Sequence, residues 1–447
     1  MSSFLKRFTI VVFVINIVLT CFTVYIFFVH EKSETSKRRV EPRTKSSDVY
    51  FNDDNWNPWG YDLLDDTNSD KSKNYRIESA VKNAFRNETI NAIEIWSKAA
   101  IGTYLWEHIL KGKIDKRSDS QFYAYGFKRV NNFKIKFRSG PSLNVQSLRQ
   151  YLTKNSNSKI VSNGKHIILV INGRDKSKVD FSKSYLNELR ELKKRKDVEK
   201  FDVGLVMLGN ENCFNSWINP YLEKYGGFVK FLFIVYDWNA VDNDAIFQWP
   251  LGVATYRSFP NPDSNKLNLQ LQRPYICNFL GTIYLNASRE QLFHFLQKHK
   301  SVIHCLVKPR WDWLPNESKE SLQLYIEAVK QSDITLSPIG MNHECYRIYE
   351  AFAFGSVPVI EENLNHVSGK KSACDHKSAY RMLKKFNAPV IFVKNWTQEL
   401  MAVIEEEKKR TLEDKIVRRV NLINWYNHFK LKMRDHFLDV VQKKFFS

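Results

Sequence analysis

Cysteine is scarce in this chain, with six in 447 residues and no C-x-x-C pair. That excludes a disulfide-dense small scaffold and gives no sign of zinc or dithiol chemistry. Glycine, at 16, and proline, at 13, are too few for a collagen or a low-complexity linker. Long apolar runs are nearly missing as well. A single run, Phe8 to Val29, is long enough to cross a bilayer, which excludes a multi-span transporter or channel. No G-x-x-x-x-G-K-[ST] loop occurs, so Walker-type nucleoside triphosphate chemistry is disfavoured. What is present is a 43% hydrophobic, 14% aromatic chain, enough for a large core and about two domains. Lys and Arg number 68 against 48 Asp and Glu, a formal charge of +20. Such an excess points to an anionic partner without choosing among nucleic acid, phospholipid, sugar nucleotide and phosphorylated glycan.

Residues 8–29 carry no charge and, as a helix, extend about 33 Å, slightly more than the hydrocarbon core. The run ends in Phe27, Phe28 and Val29 with no small-residue cleavage site, so an uncleaved signal anchor is expected. Basic residues flank it on both sides, and counting them mildly favours the wrong orientation. The short tail 1–7 with the bulk of the chain behind it nevertheless suggests a type II arrangement with that bulk lumenal. Residues 30–80 are polar and aperiodic and read as a flexible stem. Within it, the island Asn55-Trp-Asn-Pro-Trp-Gly60 is expected to dock on the folded body. Sequons at Asn87, Asn286, Asn316 and Asn395 permit glycosylation, at a frequency that chance alone would give. Cys213, Cys277, Cys305, Cys345 and Cys374 lie beyond the anchor. Buried structural thiols are expected for them, with one or two disulfides allowed.

Behind the stem, Ser97 to Leu110 has an amphipathic helical pattern. Continuous apolar runs follow, each closing on a turn-prone polar group: 166–171, 203–208 and 228–236. The charged segment 182–200 reads as a crossover helix between the first two. A second series of strands and helices runs from Pro274 to Val393, and a charged helical stretch, 397–446, closes the chain. Apolar strands joined by helices mean parallel sheets buried on both faces. The expected fold is α/β: two Rossmann-like domains, 81–270 and 271–396, facing a cleft, with closing helices over 397–447.

The strongest chemical pattern is ITLSPIGMNHECYRIYEAFAFGSVPVI, residues 334–360. A strand ends at Pro338, a loop containing Gly340 follows, and a helix is expected from near His343. Loop amides and a helix start form a ready site for a diphosphate. Arg347 and Glu350 lie three apart on one helical face. The guanidinium can fork two phosphate oxygens and the carboxylate can accept from a ribose diol. Spacing alone leaves a surface ion pair equally open.

The P-x-G-x(6)-R-x-x-E-A-x-x-x-G-x-x-P-V pattern of Pro338 to Val359 resembles the donor-binding half of exostosin-like GT-B glycosyltransferases. The wider chain resembles, more closely, the ribitol-5-phosphate xylosyltransferase family of α-dystroglycan O-mannosyl glycan synthesis. That likeness is carried by WNPWG, KAAIGTYLWEH, LGNENCFNSWINP, FQWPLGVATYRSFP, CNFLGTIY, ECYRIYEAFAFGSVPV and FVKNW. It implies a GT-B-like fold and a Golgi type II membrane enzyme of the protein O-mannosylation pathway. Such an enzyme would transfer xylose from UDP-xylose to ribitol 5-phosphate with inversion, beside other transferases of the pathway. UDP-xylose would be a co-substrate, with no cofactor required and no nucleic-acid partner.

Ligands of parallel α/β sheets sit outside the carboxyl ends of the strands, where Asp175, Glu211 and Asp237 fall. An inverting transfer needs one base; Asp237 is the first candidate and Glu211 the second, against a turn or helix-cap role for each. His108, on the first helix, reads as structural. Gly281, Thr282 and Arg310 are expected beside the donor phosphates with Gly340, Arg347 and Glu350, and Arg174, Lys176 and Arg257 beside the acceptor phosphate. Two alternatives stay open. Asp242-Asn-Asp244 is a D-x-D of the kind that holds Mn²⁺ or Mg²⁺ in GT-A transferases. A non-enzymatic anchored module binding acidic glycans would use the same basic, Trp-rich surface.

Overall fold

Two parallel sheets are built from the apolar runs, and their helices come from the charged segments between them. The computed structural model describes residues 90–116, 124–140, 143–153, 165–311, 318–362, 373–375 and 379–447. The expected anchor, stem and Trp island, and the sequons at Asn87 and Asn316, lie outside them. Among the described residues no helix is long and apolar enough to cross a membrane. All of them belong to one unit, Asp66–Ser447.

The first sheet has eight strands: β1 (Asn91–Ser97), β2 (Asp115–Lys116), β3 (Ala124–Val130), β4 (Phe133–Ser139), β5 (Lys165–Asn172), β6 (Phe201–Leu208), β7 (Val229–Val235) and β8 (Ile246–Trp249). Their spatial order is β2-β3-β4-β1-β5-β6-β7-β8. From β4 to β8 every pairing is parallel, with Ile167 opposite Val203 and Val206 opposite Phe233, while β2 and β3 add an antiparallel edge. Strands β5, β6 and β7 are buried along almost their whole length, as continuous apolar runs require.

Five strands were not apparent in the sequence, among them the short β2 and β8. β4 alternates Lys and Arg with apolar residues, β3 sets Lys128 and Arg129 side by side, and β1 carries an acid at its centre. Folding turns Glu94, Lys136 and Arg138 inward and leaves Arg129 of β3 exposed. Lys136 and Arg138 of β4 are buried against Glu94 of β1 at 3.9 and 3.3 Å, a compensated cluster rather than a solvated loop. The amphipathic helix expected over 97–110 is instead a short α-helix, α1 (Ala100–Thr103), running into a π-helical turn, Tyr104–Ile109. Nearly all of this segment is buried, so it is core rather than a surface helix. The crossover helix α3 (Lys176–Lys194), following α2 (Val145–Thr153), starts six residues earlier than expected because Asp175 caps it. The Asp175 carboxylate accepts from the Lys178 amide at 3.0 Å and from the Ser177 hydroxyl.

The second sheet is wholly parallel, in the order β10-β9-β11-β12-β13, from β9 (Tyr275–Thr282), β10 (Cys305–Arg310), β11 (Ser332–Ser337), β12 (Val357–Glu361) and β13 (Ile391–Val393). Helices α4 (Ser288–Lys298), α5 (Lys319–Lys330), α6 (Tyr346–Phe354) and α7 (Arg381–Lys385) separate the strands. The closing stretch is two helices, α8 (Trp396–Lys409) and α9 (Leu412–Phe445), parted where Thr411 and Asp414 form a reciprocal capping box.

Helix α9 serves both sheets. Near its start the buried Arg419 donates to the carbonyls of Leu269 and Leu271 and to Asp333, on the second-sheet side. Further along, Tyr426 meets Tyr104 hydroxyl to hydroxyl. At the far end Phe437 packs on Trp249 and Phe233, and Phe445 on Phe231 and His166. Two disulfides replace the expected set of buried thiols: Cys277–Cys305 joins adjacent strands β9 and β10, and Cys213–Cys374 ties the loop after β6 to residues 373–375. Cys345 is the free thiol among the described residues.

Candidate functional site

The carboxyl ends of β6, β7, β9, β10 and β11 converge on one cavity of 170 Å³, and side chains from both sheets line it. From the second sheet come Gly281, Thr282, Arg310, Gly340, Arg347 and Glu350; from the first come Arg174, Arg257 and Glu211. Lys176 is not among them: it sits on the exposed first turn of α3.

Two arginines dominate its floor, Arg347 buried and Arg289 half-buried. Arg347, on α6, donates Nη2 to the Leu280 carbonyl at 2.9 Å and lies over the Phe279 ring, while its Nε is buried without a partner. Arg289, in the first turn of α4, donates to the Thr282 carbonyl at 3.1 Å and lies over Tyr284, again with a buried, unpartnered Nε. Burial, and then the charge of Arg347, lower the proton affinity of Arg289. Neither guanidinium has a carboxylate within ion-pair distance among the described residues, an arrangement that is costly unless an anion completes it. The glycines make room for these side chains. A Cβ on Gly281 would come within 2.5 Å of Arg347 Nη2, and one on Gly340 within 2.6 Å of Arg289 Nη2. Arg289 was missed in the sequence. Its one signal is a cation in the first turn of a helix, where the dipole disfavours it. Helix α6 begins at Tyr346, not near His343, and its N-cap, Cys345, offers no side-chain cap to the first-turn amides.

Glu350 is fully buried. Its Oε1 accepts from the Ala254 amide at 3.1 Å and faces Arg257 Nη2 at 3.5 Å, and its Oε2 accepts from the Tyr325 hydroxyl at 2.6 Å. The surface ion pair with Arg347 that spacing left open does not form, and protein donors already hold both oxygens that a ribose diol would use. Truncating this side chain would take the acceptor from the buried Tyr325 hydroxyl and Ala254 amide, so it is not a change without cost to stability.

The acids divide by environment. Glu211 lines the cavity and pairs with Arg174 at 3.5 Å. Asp237 follows Tyr236 at the end of β7 and lines a smaller neighbouring space of 20 Å³. Neither of its carboxylate oxygens is solvent-accessible or hydrogen-bonded, although Arg381 Nη2 stands 3.3 Å from Oδ1 and bridges to Asp375. Burial above all, with Asp375 and Glu344 adding to it against Arg381, pushes its carboxyl up to about 7. Asp237 therefore does not line the larger cavity as a strand-end base was expected to. Glu344, which the sequence did not single out, lines both spaces.

The other expected residues lie elsewhere. The Asp242 carboxylate closes its own turn, accepting from the amides of Asp244, Ala245 and Ile246 and pairing with Lys224, while Asp244 pairs with Lys444; neither lines the cavity. Among the described residues no group of three or more His, Cys, Asp or Glu is placed to hold a metal ion. His108 is buried beside Tyr104, and burial drops its imidazole to about 3, a structural role. Asn286 is exposed, whereas Asn395 caps α8 through its side-chain oxygen.

Comparison with known proteins places these features in a lineage. A family described as the RXYLT1 N-terminal domain matches residues 93–250, and one described as the RXYLT1 C-terminal domain matches residues 256–446. A Danio rerio protein named ribitol-5-phosphate xylosyltransferase 1 is 37% identical over the whole of both chains. Its Homo sapiens namesake is 39% identical, covering 87% of this chain and 84% of its own. Among solved structures, an α1,3-fucosyltransferase aligns at a TM-score of 0.37 and 10% identity, covering 80% of this chain and 92% of its own. The N-terminal domain of Candida albicans trehalose-6-phosphate phosphatase aligns at 0.40 and 10%, covering 79% and 97%. Both structural likenesses are remote.

Proposed function

This chain belongs to the ribitol-5-phosphate xylosyltransferase family, and on that premise we propose that it transfers xylose from UDP-xylose to ribitol 5-phosphate on the α-dystroglycan O-mannosyl glycan. The acceptor hydroxyl attacks C1 of xylose from the face opposite UDP, the bond from C1 to the β-phosphate oxygen breaks, and the linkage inverts to β. The observation that carries this reading is the pair of guanidiniums, Arg289 and Arg347, each with a buried Nε short of a partner and each approached closely by a glycine. Aimed at the diphosphate, they stabilise the charge that grows on the leaving UDP, with Arg310 beside them. Arg174 and Arg257, on the first-sheet side of the same cavity, suit the phosphate of the acceptor.

The two sheets with their facing strand ends are read as a GT-B-like pair of domains. Residues 8–29 are read as the anchor of a Golgi type II protein whose bulk is lumenal.

The test is direct. Purified full-length protein with UDP-xylose and a ribitol-phosphate acceptor should release UDP and form the xyloside. It should do so at full rate in EDTA, since guanidiniums meet the diphosphate; a chelator-sensitive rate would restore the metal-dependent alternative. Arg289→Lys and Arg347→Lys should each weaken UDP binding by tenfold or more, because an ammonium cannot reproduce the planar fork. Wild-type UDP affinity in both variants would remove the diphosphate from this place.

A further inference from the structure

Besides Glu350, whose two oxygens both accept from protein donors, three carboxylates stand near the junction of the sheets, and their surroundings separate them. Asp237 has both oxygens sealed from solvent in the smaller space, so a hydroxyl in the larger cavity does not reach it. Glu211 reaches the cavity but shares its carboxylate with the Arg174 guanidinium. Glu344 differs from both. One oxygen, Oε1, is anchored by two donors, the Leu251 amide at 2.9 Å and the Tyr349 hydroxyl. The other, Oε2, takes no hydrogen bond and is not among the sealed atoms.

The backbone beneath Glu344 is fixed as well. Its amide donates to Asn342 Oδ1 at 2.9 Å, and the Asn342 amide group donates in turn to the Glu211 carbonyl at 2.8 Å. One carboxylate oxygen is thus held rigidly while the other stays open, in a residue lining the cavity shared by both sheets. Such a constellation fits a general base better than a structural acid, whose two oxygens would both be satisfied.

We infer that Glu344 is the catalytic base of the transfer, its Oε2 receiving the proton of the attacking acceptor hydroxyl. The inference rests on the transfer reading above. As the hydroxyl oxygen bonds to C1 of xylose, its proton passes to Glu344, the C1–O bond to the β-phosphate breaks with its electron pair, and UDP leaves against Arg289 and Arg347. Charge and atoms balance without a further reactant. Burial holds the Glu344 carboxyl at about 6, with the bonds from Tyr349 and Leu251 opposing the rise. The titratable groups facing it are Tyr104, Tyr236, Tyr349 and Tyr380 and the carboxyl of Asp237, with Glu211 and Arg174 lining the same cavity. The base works deprotonated, so the rate should fall as pH drops through about 6.

The experiment compares full-length wild type, Glu344→Gln, Asp237→Asn and Glu211→Gln by initial rates between pH 5 and 8, alongside UDP binding. In Glu344→Gln the side-chain oxygen still accepts from Leu251 and Tyr349, so UDP affinity should stay within about twofold. Its kcat should fall about a thousandfold, as loss of a general base does, and the acid limb should disappear. Glu344→Asp is the second variant, should the first misfold: drawing the carboxylate back by one carbon should lower kcat at least tenfold while the acid limb remains. A Glu344→Gln protein that binds UDP and keeps a tenth of the wild-type kcat, or its acid limb, overturns the assignment. So does a larger loss of kcat in Asp237→Asn or Glu211→Gln than in Glu344→Gln. Absence of wild-type transfer would instead overturn the transfer reading itself.

Discussion

Tyr236 adopts φ of 72°, a left-handed conformation that a bulky side chain enters only under constraint. It lines the larger cavity, while the next residue, Asp237, turns into the smaller one. With its carboxyl raised to about 7, Asp237 holds a proton in the folded protein that the unfolded chain gives up near the ordinary carboxylate value. Between about pH 4 and 7 the native state therefore binds more protons than the unfolded one, and stability falls as pH rises. Asp237→Asn removes that loss. Denaturant midpoints at pH 5 and pH 7.5 should differ less in the variant than in wild type, and equal differences would show that the carboxyl is not protonated when buried. Residue chemistry was partly legible. The Arg347–Glu350 spacing and the strand-end positions of Gly281, Thr282 and Arg310 marked one region of the chain, and the fold gathers them into one cavity. Arg289 and Glu344 were hidden because their meaning depends on partners far away in sequence, such as Leu251 for Glu344 and Gly340 for Arg289.

Among elements, legibility followed hydrophobic continuity. Strands β5, β6, β7 and β9 are mostly apolar runs and read directly, but β1 and β4 carry charges that their mutual pairing compensates. Boundaries moved where a cap decided them, as at Asp175 and at Thr411. Helix α9 depends on a contact no periodicity announces: Arg419, fully buried, bonds two carbonyls of the segment leading to β9 and the Asp333 carboxylate. Arg419→Met should cost about 3 kcal/mol, since it leaves these acceptors buried and short of a donor, although Lys415 still serves Asp333 at 2.9 Å. Urea unfolding would register this as a lower midpoint at unchanged slope, and a loss below about 1 kcal/mol would mean that the carbonyls find water instead.

On the scale of the whole molecule, a covalent clasp and its hydrogen bonds join the first sheet to residues 373–375. Around Cys213–Cys374 the Ala373 amide bonds the Asn212 carbonyl and the Asp375 amide bonds the Asp237 carbonyl. The disulfide closes a loop of 161 residues, so breaking it should cost roughly 2–5 kcal/mol. Replacing Cys213 and Cys374 with serine should lower the melting temperature of the full chain and shrink its shift on adding reductant to what Cys277–Cys305 alone contributes; a wild-type melting curve in the variant would show that the clasp carries no stability. Helix α9 imposes an order in time. Phe231 of β7 finds its packing partner in Phe445, more than two hundred residues further along. At about 5–20 residues per second, translation leaves this apolar surface of the first sheet uncovered for roughly ten seconds or more after β7 is made. The nascent protein must be shielded from its neighbours for that interval, and its dependence on chaperones should exceed what the stability of the finished enzyme would suggest.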